Sequence, residues 1–304
     1  NKMISIIIPF HNEEENLPIL NEKLHDVLKT QKQEFEIIYV NDGSIDAGAS
    51  KLKVQSEKLK IIHHKTRLGK GKALETGIVH AKGDVLIFMD ADLQDDPADI
   101  PFFLEKIDEG YDFVNGWREK RNDPIAKTLP SSIFNFLLLK PFLRSKLHDI
   151  NCGFKAIKKD VLEAIPLYGD NYRFLPLIAD REGFKITEVS VKHNPREHGK
   201  SKYGFVRIFY GFFDTLTTYF IYQFAEKPLH FFGPIGGVSF LAGFVILVYL
   251  TILRLFYNVD LYRRPILLFG VLLVIVGLQI IMTGIIGELI VYINQKKNKI
   301  QNNV

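Results

Sequence analysis

The sequence predicts an α/β domain on a doubly wound, mostly parallel sheet, followed by interfacial helices and a two-helix transmembrane hairpin. Three observations carry this expectation. Apolar β-type runs alternate with helical spacing over the first hundred residues, polar and acidic residues follow each apolar run directly, and charge thins out beyond residue 203. The chain has 304 residues, enough for one such domain and a smaller appendage.

Taken in order, residues 4–10 form a β-rich run, and residues 14–29 place Leu17, Leu20, Leu24 and Leu28 at helical spacing. Residues 35–40 are again a strand, ended by the turn sequence Asn-Asp-Gly-Ser. A weaker helix is expected over 46–57, a short strand over 60–63, a helix over 73–81 and a continuously apolar strand over 85–89. The order β-α-β-α-β-α-β makes the strands parallel and covers both faces with helices. In such sheets ligands sit outside the carboxyl ends of the strands. Those ends carry His11, Asn12 and Glu13; then Asn41, Asp42, Ser44 and Asp46; then Arg67-Leu-Gly-Lys-Gly-Lys72; then Asp90, Asp92, Gln94 and Asp95. One acidic turn is ordinarily just solvated, but four polar strand ends in register point to a site.

Asp90-Ala-Asp92, straight after a buried strand, offers hard oxygen ligands suited to Mg²⁺ or Mn²⁺ on a diphosphate. The glycine-lysine turn at 69–72 lacks Walker spacing, which excludes a P-loop. It still offers N–H groups and the Lys70 cation to phosphates at a helix start. The net charge of +4 and the short basic tail Lys296, Lys297, Lys299 do not suggest nucleic acid as a partner. Cys152 is the only cysteine, so no intrachain disulfide forms and a reducing compartment fits.

Residues 231–253 carry no formal charge and at about 1.5 Å per residue reach roughly 35 Å, enough to cross a bilayer core. Residues 265–293 form a second run, interrupted only by Glu288, which is expected to snorkel to the interface. The short loop between them makes a hairpin with both ends on one side. Lysines near the ends and arginines in the loop oppose each other as topology signals. The absence of an export-type leader in the first residues is what favours a cytoplasmic first domain. Residues 204–226 mix Phe and Tyr with Arg207, Asp214 and Gln223, which suits helices in the headgroup layer; a third span is the competing reading. The expected organisation is therefore a cytoplasmic catalytic domain over 1–203, interfacial helices over 204–228, and a hairpin with a basic tail over 229–304.

Together, Pro9-Phe-His-Asn-Glu13, Val40-Asn-Asp-Gly-Ser44, Gly69-Lys-Gly71 and Met89-Asp-Ala-Asp-Leu-Gln94 resemble the nucleotide-sugar half of family 2 glycosyltransferases, which have the GT-A fold. Val114-Asn-Gly-Trp-Arg118 with Arg121, Asp149-Ile-Asn-Cys-Gly-Phe154 and Arg196-Glu-His-Gly-Lys-Ser-Lys-Tyr203 are similar to the polyprenyl-phosphate branch, and the trailing hairpin matches it too. This branch includes dolichol-phosphate mannose synthases and bacterial undecaprenyl-phosphate glucosyltransferases.

The resemblance implies inverting transfer of a sugar from a nucleotide-sugar, preferentially a UDP-sugar, to a polyprenyl (undecaprenyl or dolichyl) phosphate. The reaction would take place at the cytoplasmic face of a plasma or inner membrane, in cell-envelope chemistry. It implies that Pro9, His11 and Glu13 line the base and ribose pocket and that Asp42 binds the base. Lys70 and Gly71 belong to the same donor site, with Asp90 near the ribose or sugar. Asp92 holds the metal and diphosphate, with Gln94 beside it. Two departures, Asn41 where the family usually has aspartate and His11 where it often has tyrosine, leave the base identity open. Arg118, Arg121, Arg196, Lys200 and Lys202 are candidates to clamp the acceptor phosphate, arginine forks being suited to it.

Asp149 matches the aspartate often proposed as base in the family, and an orienting or sugar-binding role is equally open. His193 and His198 read as structural and Glu188 as a surface or salt-bridge residue. The polar stretch 118–132 reads as a mobile loop over the diphosphate. Three rivals remain: transfer to another glycolipid or a protein; a processive polysaccharide synthase, disfavoured because Trp117 lacks the Gln-x-x-Arg-Trp context; and a non-catalytic membrane scaffold that binds sugar. A homo-oligomer stays open.

Overall fold

Strand β1 (Ile4–Phe10) is buried along its whole length, as are β2 (Phe35–Asn41) and β4 (Val85–Phe88), the signature of strands covered on both faces. The structure, a computed structural model, describes residues 2–52, 58–119, 147–165, 167, 169, 171–194, 217, 220, 224, 227–258, 260 and 265–301. It divides into two compact units, Asn1–Asp214 and Thr215–Val304.

In the first unit β3 (Leu59–His63) joins β1, β2 and β4 in a parallel set. Next come β5 (Phe113–Trp117), β6 (Lys155–Lys158) and β7 (Ile186–Ser190), giving a seven-stranded sheet in the order β3-β2-β1-β4-β6-β5-β7. β6 runs antiparallel to both β4 and β5, while β5 and β7 are parallel. The start of β6 therefore lies at the same sheet edge as the ends of the other strands.

Helix α1 (Asn16–Lys29) buries the leucine stripe read from the sequence, Leu17, Leu20, Leu24 and Leu28, against Ile4, Ile6 and Ile8 of β1. Fully burying one such side chain contributes about 1.5–3 kcal/mol. Helix α3 (Lys70–His80) covers the opposite face, where Gly77 lets it approach β1: a Cβ there would lie 2.3 Å from Ile7 Cγ2. It begins before the expected residue 73, directly after Gly69, whose φ of 96° ends the preceding loop. The weak helix expected over 46–57 is only a turn, α2 (Gly48–Lys51), and residues 53–57 lie outside the described residues. Helix α4 (Ile100–Asp108) follows β4, and Phe103 stacks on Phe154 with centroids 4.4 Å apart. The short helices α5 (Lys159–Ala164) and α6 (Leu175–Arg181) complete the unit.

The second unit holds α7 (Leu229–Tyr257) and α8 (Pro265–Gln301), each with a stretch long and apolar enough to cross a membrane. Large apolar side chains such as Val238, Phe244, Leu268 and Leu272 are exposed, unlike those of a soluble core helix. The helices meet through glycines. A Cβ on Gly236 would lie 2.7 Å from Gly277 O, and one on Gly243 would lie 2.6 Å from Gly270 O. Ser239 Oγ donates to Leu273 O at 3.0 Å. Glu288, near the end of the second apolar run, accepts the Leu229 N–H at 3.2 Å and so satisfies a donor at the start of α7. Most of the interfacial region 204–228 lies outside the described residues.

Candidate active site

The first wall of the site is built from the turns after β1, β2 and β3. Asn12 holds a left-handed φ of 56°, donates its N–H to Ser44 Oγ at 3.0 Å and accepts Ile45 N at 2.9 Å. Asn41 Oδ1 accepts Ser44 N at 2.8 Å while its Nδ2 lies 3.2 Å from His63 Nδ1. His11 Nδ1 is 2.8 Å from the Asp42 carbonyl, so that nitrogen carries the proton and donates. Pro9 of β1 lies in register with Val40 of β2, and Glu13 accepts Asn16 Nδ2 at 2.6 Å in the turn leading into α1.

Asp42 is buried and organises the next loop. Its Oδ1 accepts Leu68 N at 2.7 Å and His64 Nδ1 at 3.0 Å, and its Oδ2 accepts Gly69 N at 2.9 Å. Burial alone would raise this carboxyl, but the two backbone donors and the His64 ring outweigh it and hold it below the usual carboxylate range. Gly43, at φ 65°, is pressed on the same loop, where a Cβ would stand 2.6 Å from Arg67 N.

The second wall follows β4. Leu93 adopts φ 61°, uncommon for a bulky residue, and turns the chain sharply between Asp92 and Gln94, at a cost of about 1–2 kcal/mol. Asp92 and Asp95 are buried, and Asp90 pairs closely with Lys70, whose Nζ lies 5.3 Å from the Tyr172 ring centre. Burial tends to lower the Lys70 ammonium, but the Asp90 charge overrides it and raises it. Asp95 is driven well above the usual range by burial and then by the charges of Asp90 and Asp92, which Lys70 and Arg118 only partly offset. Gln94 Nε2 sits 3.4 Å from His193 Nε2, and Asp95 bridges the His193 backbone.

Among the described residues, no three His, Cys, Asp or Glu side chains converge as a ready-made metal cage. The crowding of negative charge at Asp90, Asp92 and Asp95 suits a divalent cation held by few protein carboxylates. That is how Mg²⁺ is commonly bound.

The third wall joins the end of β5 to the start of β6. Arg118 Nε donates to Asp149 Oδ2 at 2.7 Å and Nη2 to Asp149 Oδ1 at 3.1 Å, an edge-on bidentate pair with Asp149 almost fully buried. Burial would lower the guanidinium, but its bond to Asp149 raises it. Trp117 and His148, the residues just before Arg118 and Asp149, stack with ring centres 4.3 Å apart. Gly153 brings this segment against the acidic turn, since a Cβ there would lie 2.7 Å from Asp90 Oδ2. The structure thus gathers Pro9, His11, Glu13, Asp42, Lys70, Gly71, Asp90, Asp92, Gln94, Arg118 and Asp149 at one sheet edge. Arg121, Arg196, Lys200, Lys202 and His198 lie outside the described residues, as does most of the loop 118–132. His64, Asn115 and Lys155 were not singled out from the sequence. Their signal was weak: each needs the tertiary partner that makes a buried polar group tolerable.

Residues 5–165 match the family described as glycosyl transferase family 2. The chain belongs to that family. Dodecaprenyl-phosphate galacturonate synthase of Rhizobium johnstonii is 33% identical over 296 residues, covering 94% of this chain and 87% of that protein. Undecaprenyl-phosphate 4-deoxy-4-formamido-L-arabinose transferase of Photorhabdus laumondii is 32% identical over 294 residues, covering 95% and 89%. Among solved structures, glucosyl-3-phosphoglycerate synthase from Mycobacterium tuberculosis, in complex with Mn²⁺, UDP and glucosyl-3-phosphoglycerate, superposes with a TM-score of 0.56. At 19% identity, over 72% of this chain and 80% of that one, it shows the shared GT-A fold.

Proposed function

We propose that this glycosyltransferase moves a sugar from a UDP-sugar to a polyprenyl phosphate at the cytoplasmic face of a membrane, inverting the anomeric centre. The observation that carries the reading is the juxtaposition of the crowded acidic turn with the Arg118 guanidinium at one sheet edge. Similarity along nearly the whole chain to proteins named for polyprenyl-phosphate transfer supports the acceptor class.

In this reading Pro9, His11 and Glu13 border the nucleoside. Asp42 shapes the wall of that pocket by holding Leu68 and Gly69, which brings the first turn of α3 with Lys70 and Gly71 toward the diphosphate. Asp92, with Gln94 beside it, would hold Mg²⁺ or Mn²⁺, which would supply Lewis-acid relief of charge on the leaving nucleoside diphosphate. Asp90, fixed by Lys70, orients the sugar. Arg118, joined by Arg121, Arg196, Lys200 and Lys202, receives the acceptor phosphate. A phosphate monoester is largely ionised near neutral pH, so it needs positioning and charge relief more than proton removal. Residues 1–203 form the catalytic domain, 204–228 lie in the headgroup layer, and the hairpin 229–304 keeps the acceptor's membrane at hand.

The test is to incubate membranes holding the enzyme with labelled UDP- and GDP-sugars and undecaprenyl phosphate, with and without Mn²⁺. Wild type is expected to label the lipid fraction from a UDP-sugar, and Asp92→Asn to lose at least about a hundredfold of that rate. Label appearing only in soluble acceptors would end the lipid assignment.

A further inference from the structure

One side chain outside the proposed chemistry makes four contacts behind Arg118. Glu188, in β7, accepts Asp149 N at 3.1 Å and Asn115 Nδ2 at 3.4 Å through Oε1, and His148 N at 2.8 Å and His148 Nδ1 at 2.9 Å through Oε2. Its side chain is 10% exposed. Asn115, in β5 and fully buried, gives Nδ2 to Asp149 O at 2.6 Å and takes Lys155 Nζ on Oδ1 at 2.6 Å; Lys155 in turn donates to Ile150 O at 3.2 Å. Three neighbouring strands thus hold the backbone of residues 148–150 from three directions. Asp149 meanwhile turns both carboxylate oxygens to Arg118.

We propose that Glu188 and Asn115 are positioning residues for the transfer reaction: they fix Asp149, and Asp149 fixes the plane of the Arg118 guanidinium that meets the acceptor phosphate. This rests on the reading of Arg118 given above. A guanidinium has five N–H donors, and the pairing to Asp149 uses the Nε edge, so the terminal edge stays oriented for a second oxyanion. Asp149 is then not a general base. A base must face the proton it takes, whereas both of its oxygens face a cation, and the attacking phosphate oxygen is already largely ionised. Glu188 has to be a carboxylate because it serves donors on both oxygens. A glutamine would turn an NH₂ group against one donor pair.

The test is a double-mutant cycle on the full-length enzyme with undecaprenyl phosphate as acceptor, combining Glu188→Gln with Arg118→Ala. Glu188→Gln should lower kcat/KM for the acceptor about tenfold, leave the donor KM unchanged, and cause no further loss on the Arg118→Ala background. Asp149→Asn keeps the backbone bonds to Glu188 and enters the same cycle should Glu188→Gln fold poorly; it should preserve the shape of the pH–rate profile. Additive losses in the cycle, a parallel rise in donor KM, or loss of an acidic limb in Asp149→Asn would each overturn the inference. A wild type that ignores undecaprenyl phosphate but uses another acceptor sinks the functional reading alone. The cycle is then run on that acceptor, where additivity sinks only this inference.

Discussion

At the scale of single residues, the site is governed by which charges have partners. Arg118 is held edge-on by Asp149, a geometry that lysine, a point charge on a flexible stem, does not reproduce. Arg118→Lys is expected to lower kcat/KM for the acceptor by about 10²–10³, roughly 2.7–4 kcal/mol, with donor binding intact. Separate titrations of activity against donor and acceptor check this, and an equal effect on both would refute it. Far from the site, Glu36 is buried at the opposite end of the strands. It accepts Ser5 Oγ at 2.7 Å, Lys60 Nζ at 2.7 Å and Lys82 N at 2.6 Å. Burial would raise this carboxyl, yet those donors hold it below its ordinary value. A carboxyl lowered by folding stabilises the fold above its unfolded pKa, about 4.3, and that stabilisation is lost as pH falls through the folded value. Glu36→Gln should therefore cost about 1–3 kcal/mol near neutral pH and lose this deficit on acidification. Thermal midpoints that stay parallel for the two proteins down to about pH 3 would contradict the argument.

At the scale of elements, the hairpin depends on close backbone approach. A Cβ on Gly277 would stand 2.5 Å from Phe240 N, and one on Gly284 would stand 3.0 Å from Leu229 Cδ1 and Phe232 Cβ. Between apolar helices in lipid, such packing rather than water exclusion supplies the association. Gly277→Val is expected to separate the helices at a cost of about 1–3 kcal/mol, visible as a lower unfolding midpoint in detergent. A substitution at exposed Leu272, such as Leu272→Val, serves as the control that should leave it unchanged. The left-handed Asn258 at the end of α7, at φ 51° with its N–H on Leu253 O, closes that helix as an αL cap does.

At the scale of the whole molecule, the proposed topology has a direct chemical readout, because Cys152 is the only cysteine and is buried. In a Cys152→Ser background, Glu22→Cys in α1 should react with a membrane-impermeant maleimide only after cells are opened, and Asn258→Cys between the two spans should react in intact cells. The reverse pattern would place the catalytic domain outside and overturn the cytoplasmic assignment.

Much of this protein was legible from residue order. The leucine spacing of α1, the fully apolar β1, β2 and β4, and the two long apolar helices follow from periodicity and length, which local chemistry dictates. The acidic turn was also visible, because it directly follows a buried strand. What only the tertiary structure decided is the reversed strand β6. Its short run Lys155–Lys158 looks polar in sequence, yet Lys155 is buried, with its ammonium pushed down to about 8 by burial and bonded to Asn115. Reversing that strand brings residues 148–153 to the edge where the parallel strands end, and so joins the Asp149 carboxylate to Arg118 and its backbone N–H to Glu188. Periodicity reports which side of an element is apolar. Partners separated by 31 and 39 residues are chosen by how the strands are ordered in the sheet, a choice made by packing the whole domain at once.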